Sequence, residues 1–327
     1  MADGSGIDPA APGPAAGPGP RESGAARLRR RVARHVRWAR EEGIGRLIEE
    51  DRLDPLERIP LNRAKRRWRR SHSVAPNAVP VFVVGVQRSG TNMLVRGLER
   101  SPEFEVRNEN DREAFERFQL RPDPVIRALV ERSGHRYVLF KPLIDSHRVP
   151  QLLDGLGTPS AGRAIWAYRT VDGRVRSSVA KFGDSNLQAL RRVAAGDTSI
   201  WQAGGLSTER LELVRSFDLS RMTAESGAAL FWWLRNQLYF DLGLDGRADV
   251  ALAWYEATVA EPEAAIARVC AFLGFPFRPE LAAHVDRRSS RARQPLALDG
   301  RVRELSDALE ERLARAYRAA SGAPGGS

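Results

Sequence analysis

Residues 85–92 read GVQRSGTN, and each residue type there suits the binding of an anion. Gly85 and Gly90 permit a tight turn whose backbone N–H groups converge. The Ser89 and Thr91 hydroxyls and the Asn92 amide add donors, and Arg88 adds a planar fork of fixed charge. An apolar run, Val81 to Val84, leads into the loop, and an amphipathic stretch follows it. Strand, glycine loop and helix in that order aim the positive end of a helix dipole into the loop. A phosphate-like group is what such a cradle binds. A second set lies in RAIWAYRTVDGRVRSSVAKF, residues 163–182. Arg169 sits where an apolar run stops, and Ser177 lies on the stretch beyond it. Thr170, Asp172 and Gly173 between them make a turn and a helix cap. An arginine at a strand end and a serine on the next helix can converge on a second phosphate. The same arginine could equally pair with a surface carboxylate.

The elements that must hold these residues alternate in type. Apolar runs at 81–85, 137–141, 163–168 and 249–255 have strand length, and helical patterns follow at about 91–100, 147–155, 171–182, 222–243, 261–273 and 301–319. That alternation predicts an α/β fold, a parallel sheet flanked by helices. Ligands in such sheets sit beyond the carboxyl ends of the strands, where both sets of residues fall. A chain of 327 residues with 42% hydrophobic and 28% charged residues fits one large or two small globular domains. The single cysteine, Cys270, excludes a disulfide framework and a Cys-based zinc site. No apolar run has membrane-spanning length and the first residues lack a signal-peptide core, so the expected location is cytoplasmic. The net charge is +11, and of 52 basic residues only Lys65, Lys141 and Lys181 are lysines, which draws attention to Lys141 and Lys181.

Residues 1–26, rich in Ala, Gly and Pro, read as a disordered N-terminal tail, and 321–327 as a short C-terminal one. Residues 27–79 read as a basic helical arm, with RLRRRVARHVRWAR and RAKRRWRR. Such an arm suits an anionic surface. The favoured reading is an Arg-rich solvated arm packed on the main domain through Val36, Trp38, Leu47 and Ile48. No specific nucleic-acid partner is implied.

The distance from Gly85 to Gly90 matches a nucleotide P-loop, but the Lys-Ser/Thr pair that should follow is Thr91-Asn92. The absent lysine normally serves a γ-phosphate. RSGT after the first strand, and YR followed by Ser177, together resemble sulfotransferases that use PAPS (3′-phosphoadenosine 5′-phosphosulfate). The likeness continues at WYEATVAEPEAAIARVCAFLGF, residues 254–275, and covers 80–290 in outline. It implies a P-loop-like sulfotransferase domain over 80–320, with PAPS as sulfuryl donor and no required metal. It places Arg88, Ser89, Gly90, Thr91 and Asn92 at the phosphosulfate, Arg169 and Ser177 at the 3′-phosphate, and Lys141 near the transferring group. The acceptor would be a hydroxyl or amine of a small molecule, lipid or carbohydrate, attacking the sulfuryl group in line.

The resemblance leaves the general base open. Cytosolic members use a histidine two residues beyond the matching lysine, where this chain has Leu143. Asp145 and His147 lie further along, and Asp145-Ser146 also suits a helix cap. Heparan-modifying members use a glutamate after the first helix, and Asn108-Glu109 in EVRNENDREAF resembles that segment. Glu109 is therefore the first candidate, with Asp111 and Asp145 behind it. Many members stack adenine on a Trp two residues after the loop threonine; here that position is Met93. Arg287, Arg288, Arg291 and Arg293 could cover the 3′-phosphate or form a solvated loop. Phe231-Trp232-Trp233 reads as core, and Glu256 leaves a metal-ligand role open. Two other functions fit the scaffold: a P-loop phosphotransferase, disfavoured by Thr91-Asn92, and a non-catalytic nucleotide-binding protein.

Overall fold

A computed structural model describes residues 55–72, 74–287 and 294–322. Contacts divide the chain into Met1–Arg58 and Ile59–Ser327, and the site lies in the second unit. The expectations for residues 1–26, for Val36, Trp38, Leu47 and Ile48, and for Arg288, Arg291 and Arg293 lie outside the described residues.

In chain order the strands are β1 Val79–Gly85, β2 Phe104–Arg107, β3 Phe115–Glu116, β4 Gln119–Leu120, β5 Tyr137–Phe140, β6 Arg163–Tyr168 and β7 Val250–Trp254. Five of them form one parallel sheet in the order β2-β5-β1-β6-β7, and β3 and β4 form a separate hairpin. The chain moves from β1 to one side of the sheet and from β6 to the other. That reversal opens a crevice between the ends of β1 and β6, the place where open α/β sheets bind ligands. The register Val84↔Trp166 and Gly85↔Ala167 sets the two following loops side by side.

The helices are α1 Pro55–Ser71, α2 Thr91–Glu99, α3 Asp123–Glu131, α4 Val149–Asp154, α5 Val171–Phe182, α6 Ser185–Ala194, α7 Thr208–Arg215, α8 Ala224–Asp241, α9 Tyr255–Ala260, α10 Pro262–Leu273 and α11 Gly300–Gly322. Side chains alternate across β1: Val81 and Val83 join a core with Leu94, Leu98, Ile266 and Val269 of α2 and α10. Phe82 and Val84 join the opposite core with Val175, Leu230, Trp232 and Leu309 of α5, α8 and α11. Burial on both faces is why β1 reads as an unbroken apolar run rather than an alternating one. Phe231, Trp232 and Trp233 of α8 are core. Trp68 of α1 lies 6.0 Å from the His135 ring, in parallel stacking.

Two local expectations change. Tyr255 opens α9 instead of ending β7. The stretch after β5 first makes a 3-10 turn, Leu143–Arg148, before α4. Neither Asp145 nor Ser146 caps α4; both side chains bind distant backbone amides, as shown below. Among the described residues no helix is long and apolar enough to cross a membrane.

Candidate active site

The loop between β1 and α2 is shaped by three left-handed residues, Gly85 (φ 117°), Arg88 (φ 72°) and Gly90 (φ 88°). At Gly85 a Cβ would stand 2.2 Å from the Ala167 carbonyl oxygen, so β6 passes too close for any other residue. At Gly90 a Cβ would stand 2.6 Å from the Tyr255 ring. The Gly85 amide donates to Ser146 Oγ at 3.0 Å, and that hydroxyl donates to the Leu143 carbonyl at 2.8 Å. The loop is thereby tied to the turn after β5. Behind it, Arg174 Nε donates to the Gln87 carbonyl at 3.3 Å.

The cradle's donors face no protein acceptor in two respects. Ser89 Oγ is buried with no hydrogen-bond partner. No side chain caps α2, whose first turn begins at the buried Thr91. A buried orphan hydroxyl and an uncapped helix start together fit an anion placed between them. That is the fit a phosphosulfate requires.

The two sequence motifs meet. Arg88 Nε donates to Ser177 Oγ at 3.0 Å, joining the loop to α5. The Arg169 guanidinium lies 4.2 Å from the Tyr255 ring centroid, with its Nε 3.6 Å from Glu256 Oε1. Glu256 also accepts from the Thr170 amide at 3.1 Å and the Thr170 hydroxyl at 2.9 Å. Glu310 of α11 accepts from the Val171 amide at 2.7 Å. The first amides of α5 are thus taken by protein carboxylates, unlike those of α2. A second anion here would be met by side chains, Arg169 and Ser177, rather than by the helix start. Glu256 acts as a cap and an arginine partner. Burial pushes the Glu310 carboxyl up to about 7, aided by Glu256, Asp172 and Asp307 and opposed by the Val171 N–H.

At the next strand end, Lys141 Nζ stands 2.7 Å from Asn92 Oδ1 and 3.1 Å from Glu109 Oε2. Strand pairing places them: Arg107 faces Phe140, and the Lys141 amide donates to the Arg107 carbonyl at 3.3 Å. Both side chains are shielded, with 9% of Lys141 and 20% of Glu109 exposed. The amide of Asn92 therefore meets Lys141.

The other candidate bases are held elsewhere. Asp145 is buried and accepts from the Leu120 amide at 2.8 Å, with Arg148 3.8 Å away. Burial raises its pKa, partly offset by the Leu120 N–H and Arg148. Its carboxylate pins β4 to the turn after β5. Asp111 lies 3.2 Å from Arg107 and accepts from the Glu113 and Ala114 amides. His147 packs against Gly204 and Gly205, and burial, with Arg235 and Arg148, lowers its pKa to about 4.

A groove of about 670 Å³ is lined by Ser89, Gly90 and Met93 of the loop and α2, by β7, and by Tyr255, Phe272 and Tyr317. Tyr255 and Arg174 were not singled out from sequence, and Ser146 was expected only as a helix cap. For Arg174 a signal existed, because it interrupts the apolar stripe Val171, Val175, Val179 on α5.

No family model matches the chain, and no curated protein matches it. Among solved structures it is similar to a sulfotransferase from Alicyclobacillus acidocaldarius, at 18% identity and TM-score 0.41, over 73% of this chain and 94% of that one. It is also similar to the sulfotransferase domain of the Synechococcus PCC 7002 olefin synthase, at 16% identity and TM-score 0.41, over 73% of this chain and 96% of that one.

Proposed function

We propose that this chain is a PAPS-dependent sulfotransferase acting on a hydroxyl or amine of a small-molecule, lipid or carbohydrate acceptor. The observation that carries the reading is Lys141, held between Asn92 at the end of the anion loop and the carboxylate of Glu109. A cation and a candidate base thus sit together beside a phosphate cradle that lacks the P-loop lysine.

PAPS presents a phosphosulfate and a 3′-phosphate. The loop backbone, Arg88, Ser89, Gly90, Thr91 and the start of α2 suit the first. Arg169 and Ser177 suit the second, and the Arg88–Ser177 bond links the two subsites. Met93 and Tyr255, which both line the groove, offer a surface for adenine where the family's tryptophan is absent. Glu109 takes the proton of the acceptor as the new oxygen–sulfur or nitrogen–sulfur bond forms. The bridging oxygen–sulfur bond of the donor breaks, and Lys141 stabilises the charge that builds on the departing phosphate oxygen. Asn92 holds the lysine in reach. The working domain spans 80–320.

Calorimetry with the desulfated nucleotide in EDTA, beside Mg-ATP, tests the donor. Binding of the desulfated nucleotide without metal is expected, severely weakened by Arg169→Ala. Tighter binding of Mg-ATP would replace this reading with a phosphotransferase. Transfer of label from PAPS to a metabolite extract tests catalysis, and nucleotide binding with no transfer to any acceptor would favour a binding protein.

A further inference from the structure

Arg174 is 0% exposed, the most completely enclosed charged side chain beside the loop. Its hydrogen bonds end on neutral oxygens: the Gln87 carbonyl at 3.3 Å, Asn186 Oδ1 at 2.6 Å and the Ala228 carbonyl at 3.0 Å. The Phe231 ring centroid lies 5.3 Å from its guanidinium carbon. Among the described residues no carboxylate pairs with it. Burial brings its pKa down to about 9, and the like charge of Arg88 adds to that. Three part-buried arginines show the usual alternative of pairing with acids: Arg107 with Asp111 and Glu113, Arg303 with Asp172, Arg247 with Asp154 and Asp249.

A buried charge without a counter-charge is costly. Arg235 is also buried, but it holds the Gly204 carbonyl in a turn next to Trp201, with no part in the loop. Arg174 differs because it touches the loop itself, at the residue before Arg88. The missing negative charge is therefore on the other side of that loop, in the cradle that Ser89 and the α2 start form.

We infer that Arg174 is a positioning residue and fixed counter-charge for the anion in the Gly85–Gly90 loop, holding the Gln87 carbonyl and finding its compensation only when the cradle is filled. The inference rests on the loop binding an anion, not on which nucleotide carries that anion. It makes anion affinity and the protein's own stability respond in opposite directions to loss of this charge.

The test titrates inorganic pyrophosphate into the full chain and into Arg174→Lys and Arg174→Met, with melting temperatures measured without ligand. Arg174→Met is expected to weaken pyrophosphate at least tenfold, while its ligand-free melting temperature stays level or rises. Arg174→Lys, which keeps the charge, is expected to hold affinity within about threefold. Should Arg174→Met fail to fold, Arg174→Gln takes its place in the same titration. Native affinity in the charge-free variant, or equal losses in the Lys and Met variants, would overturn the inference. So would a native chain that binds no pyrophosphate. A native chain that binds pyrophosphate but not the desulfated nucleotide overturns only the PAPS reading, and the variants still decide Arg174.

Discussion

Glu109 and Asp145 are both carboxylates near the end of β5, and their surroundings differ. Glu109 meets Lys141 at 3.1 Å beside the anion loop, whereas Asp145 accepts from the Leu120 amide at 2.8 Å. Glu109→Gln keeps size and hydrogen bonding but cannot take a proton, so turnover is expected to fall about 10²–10⁴-fold, the usual worth of a general base. Affinity for the desulfated nucleotide should stay near native, because Glu109 lies outside the cradle. Steady-state rates with labelled PAPS, paired with calorimetry, read both quantities. Asp145→Ala leaves a buried amide unpaired and should cost about 1–3 kcal/mol of stability in urea unfolding. Equal loss of turnover in Asp145→Asn and Glu109→Gln would sink this division of roles. The resemblance put Glu109 ahead of Asp145, but the residues alone could not show its contact with Lys141, because that contact depends on a β2–β5 pairing that no local pattern announces. Arg174 was hidden for another reason. In a chain whose 52 basic residues are nearly all arginine, its composition gives it no contrast, and only its place within the apolar stripe of Val171, Val175 and Val179 marks it.

Among the elements, α5 is where the parts of the site meet. Its start is held by Glu256 from α9 and Glu310 from α11, and further along it presents Arg174 and Ser177 to the loop. Asp172 and Arg303 fasten it to α11 at 2.8 Å. The Glu310 carboxyl gives this junction a pH dependence. Its pKa is raised from 4.5 to about 7, so the folded protein holds that proton more tightly than the unfolded chain. The contribution is full below about pH 4.5 and is lost as pH rises through about 7. The difference corresponds to roughly 3 kcal/mol, at 1.36 kcal/mol per pH unit. Glu310→Gln keeps an acceptor for the Val171 amide and removes the titration. Its melting temperature should therefore fall less than the native one between pH 5 and pH 8. Parallel curves would rule this out. The same junction shows what a sequence reader can and cannot see. β1, β5, β6 and β7 stand out as apolar runs because packed faces require them. β2 reads FEVR, an edge strand whose Glu105 and Arg107 make charged contacts, so its pattern is that of a loop. The helices α6 and α7 fall in the stretch 187–225, whose composition names no partner.

At the scale of the whole molecule, the strand order β2-β5-β1-β6-β7 explains why residues so far apart in sequence work together. β1 and β6 are neighbours, so Arg88 and Ser177 meet; β1 and β5 are neighbours, so Asn92 and Lys141 meet. The order follows from covering both faces of a parallel sheet, and it was foreseeable as a class but not as a sequence of neighbours. Every residue assigned to the donor, from Gly85 to Ser177, and both caps of α5 lie within the unit Ile59–Ser327. The residues ahead of that unit contribute none of them. A chain beginning at Pro55 should therefore bind the desulfated nucleotide as the full chain does. Ligand at a hundred times its dissociation constant stabilises a binding-competent fold by about 2.7 kcal/mol, so both chains should show the same upward shift in melting temperature under that condition. An intact shift in the shortened chain together with lost transfer to a lipid acceptor would assign the basic stretch to the acceptor. A shortened chain that folds, as judged by circular dichroism, yet shows no shift would mean that the donor site extends beyond the crevice between β1 and β6.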